Sequence, residues 1–375
     1  MTDIIVIGAG VIGASVAFRL AQPGMRVVVL EANRPGGGAS GTSFAWLNAA
    51  RKRPRAYFDL NVAGMRAHDE LEAEFGVAPW LHRGGRLEWF VDEQRAAADR
   101  AFARLNASGY AGGWITRSEV AALEPAIDGS ALPENVAFFP HEAWIDPAPF
   151  VAAMLAEAIR CGARVVRERS VGVELSGGRV TGVRTSEGRR LVADMVINCA
   201  GAAVNEAAGQ PALHTPMAST VGLLAFTPPV AAPLSRIVAT PACSFRPDGA
   251  GRLMMHSGAA DTEAAVRPAA ARGLAADLAR RLQRVAPGLG EVGCEAVRLV
   301  ERPIPADGYP VVGRFGGVEG YYVVVAHSGV TLAPLLGRMV AQEVVGQVSI
   351  AELDPYRPRR FATSSDLPER TAGRR

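Results

Sequence analysis

Three glycines, Gly8, Gly10 and Gly13, stand in the stretch IIVIGAGVIG, between a short apolar run and a segment with helical periodicity. That context separates a dinucleotide fingerprint from a chance G-x-G-x-x-G. Gly8 permits a tight turn, Gly10 lets the backbone approach a pyrophosphate, and Gly13 lets the helix pack close to the strand. The helix start, with Val11 and Ile12, offers amide N–H groups to the anion. The second apolar run, MRVVVLEA, ends at Glu31 and Ala32. A carboxylate there accepts from both ribose hydroxyls and repels a 2′-phosphate, which disfavours an NADP-type ligand. NAD and FAD share the same adenosine diphosphate half, so the fingerprint alone leaves both open.

Three further features favour FAD. Glu31 runs into ANRPGGGASGTSF, a Gly/Ser-rich loop suited to wrapping a pyrophosphate, with Arg34 as a charge partner. RERSVGVELSGGRVTGVRTSEGRRLVADMVINCAG reads as a three-stranded meander with turns at Gly177-Gly178 and Glu187-Gly188, closing on a buried strand. A sheet laid over a Rossmann layer is typical of flavoproteins of the two-dinucleotide type. Finally, YYVVVAHSGVTLAPLLGRMVAQEVV gives a strand, a Gly turn and a helix some 300 residues from the first, as expected for an extended cofactor gripped from both ends of the chain.

The elements that position these groups are readable in outline. DIIVIG, VIGASVAFRLAQ and MRVVVLE form a βαβ unit, and residues 54 to 75 form a long helix ending at Gly76. DPAPFVAAMLAEAIRCGARVV is a helix followed by a strand, with Pro147 and Pro149 at its start and Gly162 after its end. From Trp80 to about Trp144 the chain mixes short strands (GRLEWFV, NVAFFP) with helices, a first insertion; residues 211 to 294, with strands STVGLLAF and GRLMMHS and a helix stopped by Pro287-Gly288, form a second. The fold class is therefore α/β, α+β overall: a Rossmann-like FAD-binding domain (1–79, 145–210 and 295–361) and a β-rich mixed-sheet substrate domain built from insertions (80–144 and 211–294), with a flexible tail at 362–375.

Bulk properties narrow the partners. At 375 residues two domains are the default, and 49% hydrophobic with 21% charged residues is an ordinary globular balance. A net charge of +3 and the absence of any basic block beyond RKRPR at 51 to 55 argue against nucleic acid; that run reads as a solvated face. Cys161, Cys199, Cys243 and Cys294 are far apart, without metal-ligand spacing, and read as free, mostly buried thiols; no metal site is expected. No basic leader or apolar stretch long enough to span a bilayer is found, which points to the cytoplasm, with peripheral membrane contact left open.

With these segments in hand, the chain resembles the D-amino-acid-oxidase-like FAD oxidoreductases, which include glycine oxidase, sarcosine oxidase and D-amino-acid dehydrogenase. The likeness runs over about residues 3 to 347, through IIVIGAGVIGASVAFRLA, GGGAS, WIDPAPFVAAMLAEAIRCGARV, GGRVTGVRTSEG, INCAG, RPIPADGYPVVGR and HSGVTLAPLLGRMVAQEV. It implies that Ser40, Thr42 and Ser43 lie along the pyrophosphate and ring, that the Val171 backbone meets adenine, and that Ala200 and Gly201 form a small-residue strand end. Gly329, Val330 and Thr331 would present N–H groups at the flavin pyrimidine edge, where a helix start stabilises the negative charge of reduction. Arg302, at the R-P step, would pair with a substrate carboxylate through a bidentate fork. Support for substrate would come from Tyr57, His256 or the 51 to 55 run; His327 reads as a packed histidine before a catalytic base.

Two departures bear on the chemistry. VERPIPADG carries no Cys where sarcosine-oxidase-like members tether their flavin, so FAD is expected to be non-covalent. GRLMMHS carries Met254 and Met255 where those members place an oxygen-activating Lys, so the electron acceptor is either oxygen or a quinone or electron-transfer protein. The resemblance implies oxidation of a small amino acid (a D-amino acid, glycine or an N-alkyl derivative) by hydride transfer to flavin N5, giving an imine that hydrolyses. Rivals are a flavoenzyme for a 2-hydroxy acid or a pathway-specific amine, and a flavin-bearing subunit of an electron-transfer complex.

Overall fold

A computed structural model describes residues 2–231 and 234–361; the tail expected at 362–375 lies outside the described residues. Its six-stranded sheet runs Val311–Arg314, Tyr321–Val325, Met195–Asn198, Thr2–Ile7, Met25–Leu30, Arg164–Val166, with every neighbouring pair parallel except the first. Parallel strands buried on both faces need continuous apolar runs, which IIVI and VVVL supply. The period of two then sorts their side chains. Ile4, Val6, Val27 and Val29 pack against helices, whereas Ile5, Ile7 and Leu30 face the meander of Ser170–Ser176, Arg179–Thr185 and Arg190–Val192.

The helical layer consists of Val11–Leu20, Arg55–Phe75, Pro147–Arg160 and Gly329–Gly346. The opening and closing helices lie so close that a Cβ on Gly337 would come within 2.7 Å of the Ser15 backbone. The long helix ends at Gly76, whose φ of +75° belongs to the region that glycine tolerates best. The chain's two halves thus meet helix against helix, on the sheet whose interior strand Thr2–Ile7 leads into the glycine turn.

The second sheet has eight strands in the order Ala296–Glu301, Val221–Phe226, Arg252–His256, Ser244–Asp248, Ile237–Ala239, Arg86–Glu88, Asn135–Phe139, Gly113–Thr116; only Ile237–Ala239 against Arg86–Glu88 is parallel. One face, with Leu223, Ala225, Phe245, Leu253 and Met255, carries the helices Gly258–Val266 and Ala271–Val285. The other turns Leu224, Phe226 and Met254 toward Phe44 of the glycine-rich loop. Ala296–Glu301, grouped by the sequence with the FAD-binding segments, pairs along the free edge of Val221–Phe226 in this sheet.

The thiols also need correction: Cys199 and Cys243 are buried, but Cys161 and Cys294 are exposed, and all four are free. No helix is long and apolar enough to cross a membrane, among the described residues.

Candidate active site

A cavity of about 1010 Å³ runs between the two sheets, from Glu31 and Glu168 at one end to His256, Arg302 and His327 at the other. Its size matches the upper end of the roughly 300–1,000 Å³ usual for ligand pockets. Among the residues singled out in the sequence, Gly8, Gly10, Val11, Ile12, Glu31, Ala32, Ser40, Thr42, Ser43, Ala200, Gly201, Arg302, Gly329, Val330 and Thr331 all line it.

The first end is made by backbone. Gly8 has φ +94°, and a Cβ there would lie 2.7 Å from the Cys199 carbonyl oxygen. A Cβ on Gly10 would meet Ser40 Oγ at 2.9 Å, so this floor stays open only because both residues are glycine. Glu31 accepts from the Ala9 N–H at 2.8 Å and the Asn33 N–H at 2.9 Å, which fastens the turn to the following loop while the carboxylate faces the cavity. The Val11 N–H, expected to face a pyrophosphate, donates to Ser40 Oγ at 3.0 Å, and both residues line the cavity.

Gly13 packs as expected: it lies under the cavity rather than on it, and a Cβ there would overlap the Gly8 carbonyl oxygen at 1.9 Å. Arg34, expected as a charge partner on the loop, is exposed and folds over Gly37, away from the lining. Val171 sits at an irregularity of the strand pairing and is 38% exposed, with its neighbour Ser170 on the cavity wall.

The start of the closing helix is fixed from three directions. Tyr57 and Ser328 hydroxyls are 2.8 Å apart, His68 Nε2 donates to the Val330 carbonyl at 3.0 Å, and Thr331 Oγ1 donates to the Trp46 carbonyl at 3.2 Å. Gly64 makes the approach feasible, since a Cβ there would stand 2.6 Å from the Thr331 oxygen. Burial drops the His68 imidazole to about 4, so it is neutral at pH 7. His68 carries no motif; only its place on the long helix could have pointed to it.

The far end is built of side chains from separate segments. Arg302 Nη2 donates to Asp261 Oδ2 and stands 3.0 Å from His256 Nε2, which is itself 2.8 Å from Asp261 Oδ2. Burial by itself would raise the Asp261 carboxyl, but hydrogen bonding and charge from His256, then Arg302, outweigh it and hold it below the usual range. The guanidinium can approach the strand this closely because residue 222 is glycine; a Cβ there would be 2.5 Å from Arg302 Nε. An isolated glycine in a strand pattern marks such a close approach; Asp261 had no comparable signal.

His327, expected to be packed, opens onto the cavity, and no protein group bonds its ring among the described residues. Enclosure by the cavity walls, then the positive Lys52 and Arg302, lowers it to about 4. Met254 and Met255 do not line the cavity: one packs on Leu224 and Phe226, the other in the core beneath the helices. Behind Trp46, buried Arg86 pairs with Glu88 and, at 2.7 Å, with Glu142, which also accepts from Trp46 and Tyr110, each at 2.7 Å.

Comparison with known proteins agrees with this geometry. A family model described as "FAD dependent oxidoreductase" (DAO) matches residues 3–343. Glycine oxidase of Geobacillus kaustophilus is 24% identical over 364 residues, covering 94% of this chain and 96% of its own; hydrogen cyanide synthase subunit HcnC of Pseudomonas aeruginosa is 25% identical, covering 96% of each. The crystal structure of glycine oxidase from Geobacillus kaustophilus superposes with a TM-score of 0.80 at 21% identity over 96% of this chain and 99% of that one. That of L-proline dehydrogenase from P. horikoshii gives 0.80 at 19% identity, over 96% and 98%.

Proposed function

The chain belongs to the DAO family of FAD-dependent oxidoreductases, and from that premise we propose that it oxidises the C–N bond of a small amino acid. The observation that carries this reading is that one cavity joins the Gly8–Gly10–Glu31 cradle, the start of the closing helix and the Arg302 fork. The cradle suits FAD: its two glycines leave a floor that any Cβ would fill, and Glu31 stands at the ribose end. The bound flavin supplies a hydride acceptor at N5.

The protein's part is position and field. Arg302 orients the substrate carboxylate, with Nε and Nη1 bonded to no protein atom among the described residues. Asp261 positions Arg302. The Gly329–Val330 helix start, held by Tyr57, His68 and Thr331, places N–H groups where negative charge develops. His327, held at about 4 by its enclosure, stays neutral at pH 7 and adds no positive charge beside Arg302. The substrate loses a hydride from Cα and a proton from nitrogen; the resulting imine takes up water, giving a keto acid or aldehyde acid and ammonia or an amine.

Glycine oxidase and L-proline dehydrogenase among the relatives support an amino acid donor. Methionines on the GRLMMHS strand leave the acceptor as oxygen or a quinone or electron-transfer protein. The absence of Cys from VERPIPADG supports non-covalent FAD. A second reading, a flavin-bearing subunit of a larger assembly, draws on the cyanide synthase subunit. The deciding experiment is an anaerobic screen of flavin bleaching by D- and L-amino acids, glycine, N-methyl amino acids and 2-hydroxy acids, using the isolated chain. Bleaching by hydroxy acids alone, or by none of these, would reject the amine assignment.

A further inference from the structure

Of the 40 lysine and arginine residues in the chain, a single one is lysine, Lys52. It stands in the turn between strand Trp46–Leu47 and the long helix, on the cavity wall. A guanidinium stays charged wherever it is put, whereas an ammonium yields its proton when burial makes the charge costly.

Ion pairing among the cations that line the cavity singles out the same residue. Arg51 pairs with Glu88, Arg169 with Glu206, Arg281 with Asp277 and Arg302 with Asp261. Lys52 has no carboxylate partner among the described residues; its ammonium rests 5.7 Å from the Tyr57 ring centre. A carboxylate arriving at Arg302 meets a guanidinium whose charge Asp261 already balances, so little net attraction remains. Arg302 can direct the anion but does not supply the charge that draws it in.

We propose that Lys52 provides the unbalanced positive charge that draws the substrate carboxylate into the cavity, that Arg302 orients the same group, and that the site suits a substrate with one acidic group. This rests on the amino acid reading above. Both cations lie on one cavity, whose wall also includes His256 and His327. Lys52 is faced by Tyr57 from the long helix, by His327 from the turn before the closing helix and, from behind, by Glu142, which Arg86, Trp46 and Tyr110 already engage. Burial brings the ammonium down to about 8, with Glu142 opposing. A bound carboxylate holds the proton on, so affinity is level below that pH and decays above it.

The test is a titration of the oxidised, FAD-loaded protein with propionate and, in parallel, propionamide, read by flavin difference spectra or calorimetry. Between about pH 6.5 and about pH 9.5, propionate binding to the native protein should weaken about 30-fold. It should stay level in Lys52→Arg and be at least roughly tenfold weaker at neutral pH in Lys52→Met, while propionamide binding is the same in all three. Propionate affinity level across that range in the native protein, unchanged affinity in Lys52→Met, a persisting alkaline decay in Lys52→Arg, or no propionate binding by the native protein would each overturn the proposal. No turnover is involved, so failure of amino acids to bleach the flavin would end the amine reading without touching this result.

Discussion

The two ends of the cavity solve the same problem by different means. At the Gly8–Glu31 end the shape comes from main chain within one βαβ unit, and glycines hold the floor open. At the Arg302 end the shape comes from side chains of four segments, Arg302, His256, Asp261 and Lys52, brought together by a mixed sheet. A backbone site tolerates almost no added atom but needs no charge balance. A side-chain site tolerates replacement but depends on which charges are already paired.

That contrast can be broken at either end. The largest effect is expected at Gly8. Gly8→Val should purify with less than roughly a tenth of the native flavin, because its Cβ meets the Cys199 carbonyl at 2.7 Å and its φ is +94°. Gly38→Ala, where a Cβ meets nothing within 4 Å, should keep its flavin in the same absorbance assay. A fully yellow Gly8→Val protein would remove the backbone half of the comparison. Next in size, Arg302→Met should lower kcat/KM for the amino acid about 30- to 1,000-fold, corresponding to about 2–4 kcal/mol, with flavin content near native. Equal loss of flavin and of acid affinity would blur the two ends into one.

A smaller effect sharpens the joint between them. His68 is neutral in the folded chain down to about pH 4 and titrates near 6.5 when unfolded. Stability tied to its neutral form is complete above about 6.5 and is lost as pH falls toward 4, on the order of 3 kcal/mol. His68→Gln should therefore melt with a shallower pH dependence between pH 4 and 6.5 than the native protein, as read by calorimetry; an identical slope would show that burial of this imidazole carries no such linkage. The smallest effect is at Arg34, exposed and off the cavity: Arg34→Ala should change flavin content and melting by no more than about 0.5 kcal/mol.

Much of the backbone end was legible in the linear chain because its determinants are local. Gly8, Gly10 and Glu31 lie on consecutive elements, and the turn chemistry of Gly177-Gly178 and Glu187-Gly188 marks the meander directly. The side-chain end was legible at Arg302 and, as support for substrate, at His256 and the 51 to 55 run, all through resemblance. Asp261 lies on a short helix whose sequence, GAADTEAAV, gives no hint of its partner; what brings it to Arg302 is the pairing of Val221–Phe226 with both Arg252–His256 and Ala296–Glu301. Arg34 was misplaced by the fold of its loop, which no local pattern distinguishes. The run at 51 to 55 read as a solvated face, yet Arg51 and Lys52 turn inward because the preceding strand leads them onto the cavity wall.

The anchoring of the Gly329 turn by Tyr57 and His68 has a bearing on biosynthesis. A growing polypeptide that has emerged only as far as Val285 already owns the glycine turn but not the helix start that forms the opposite wall of the cavity. Both walls are present together only once the segment through Gly346 has emerged, so the complete cavity belongs to nearly finished molecules.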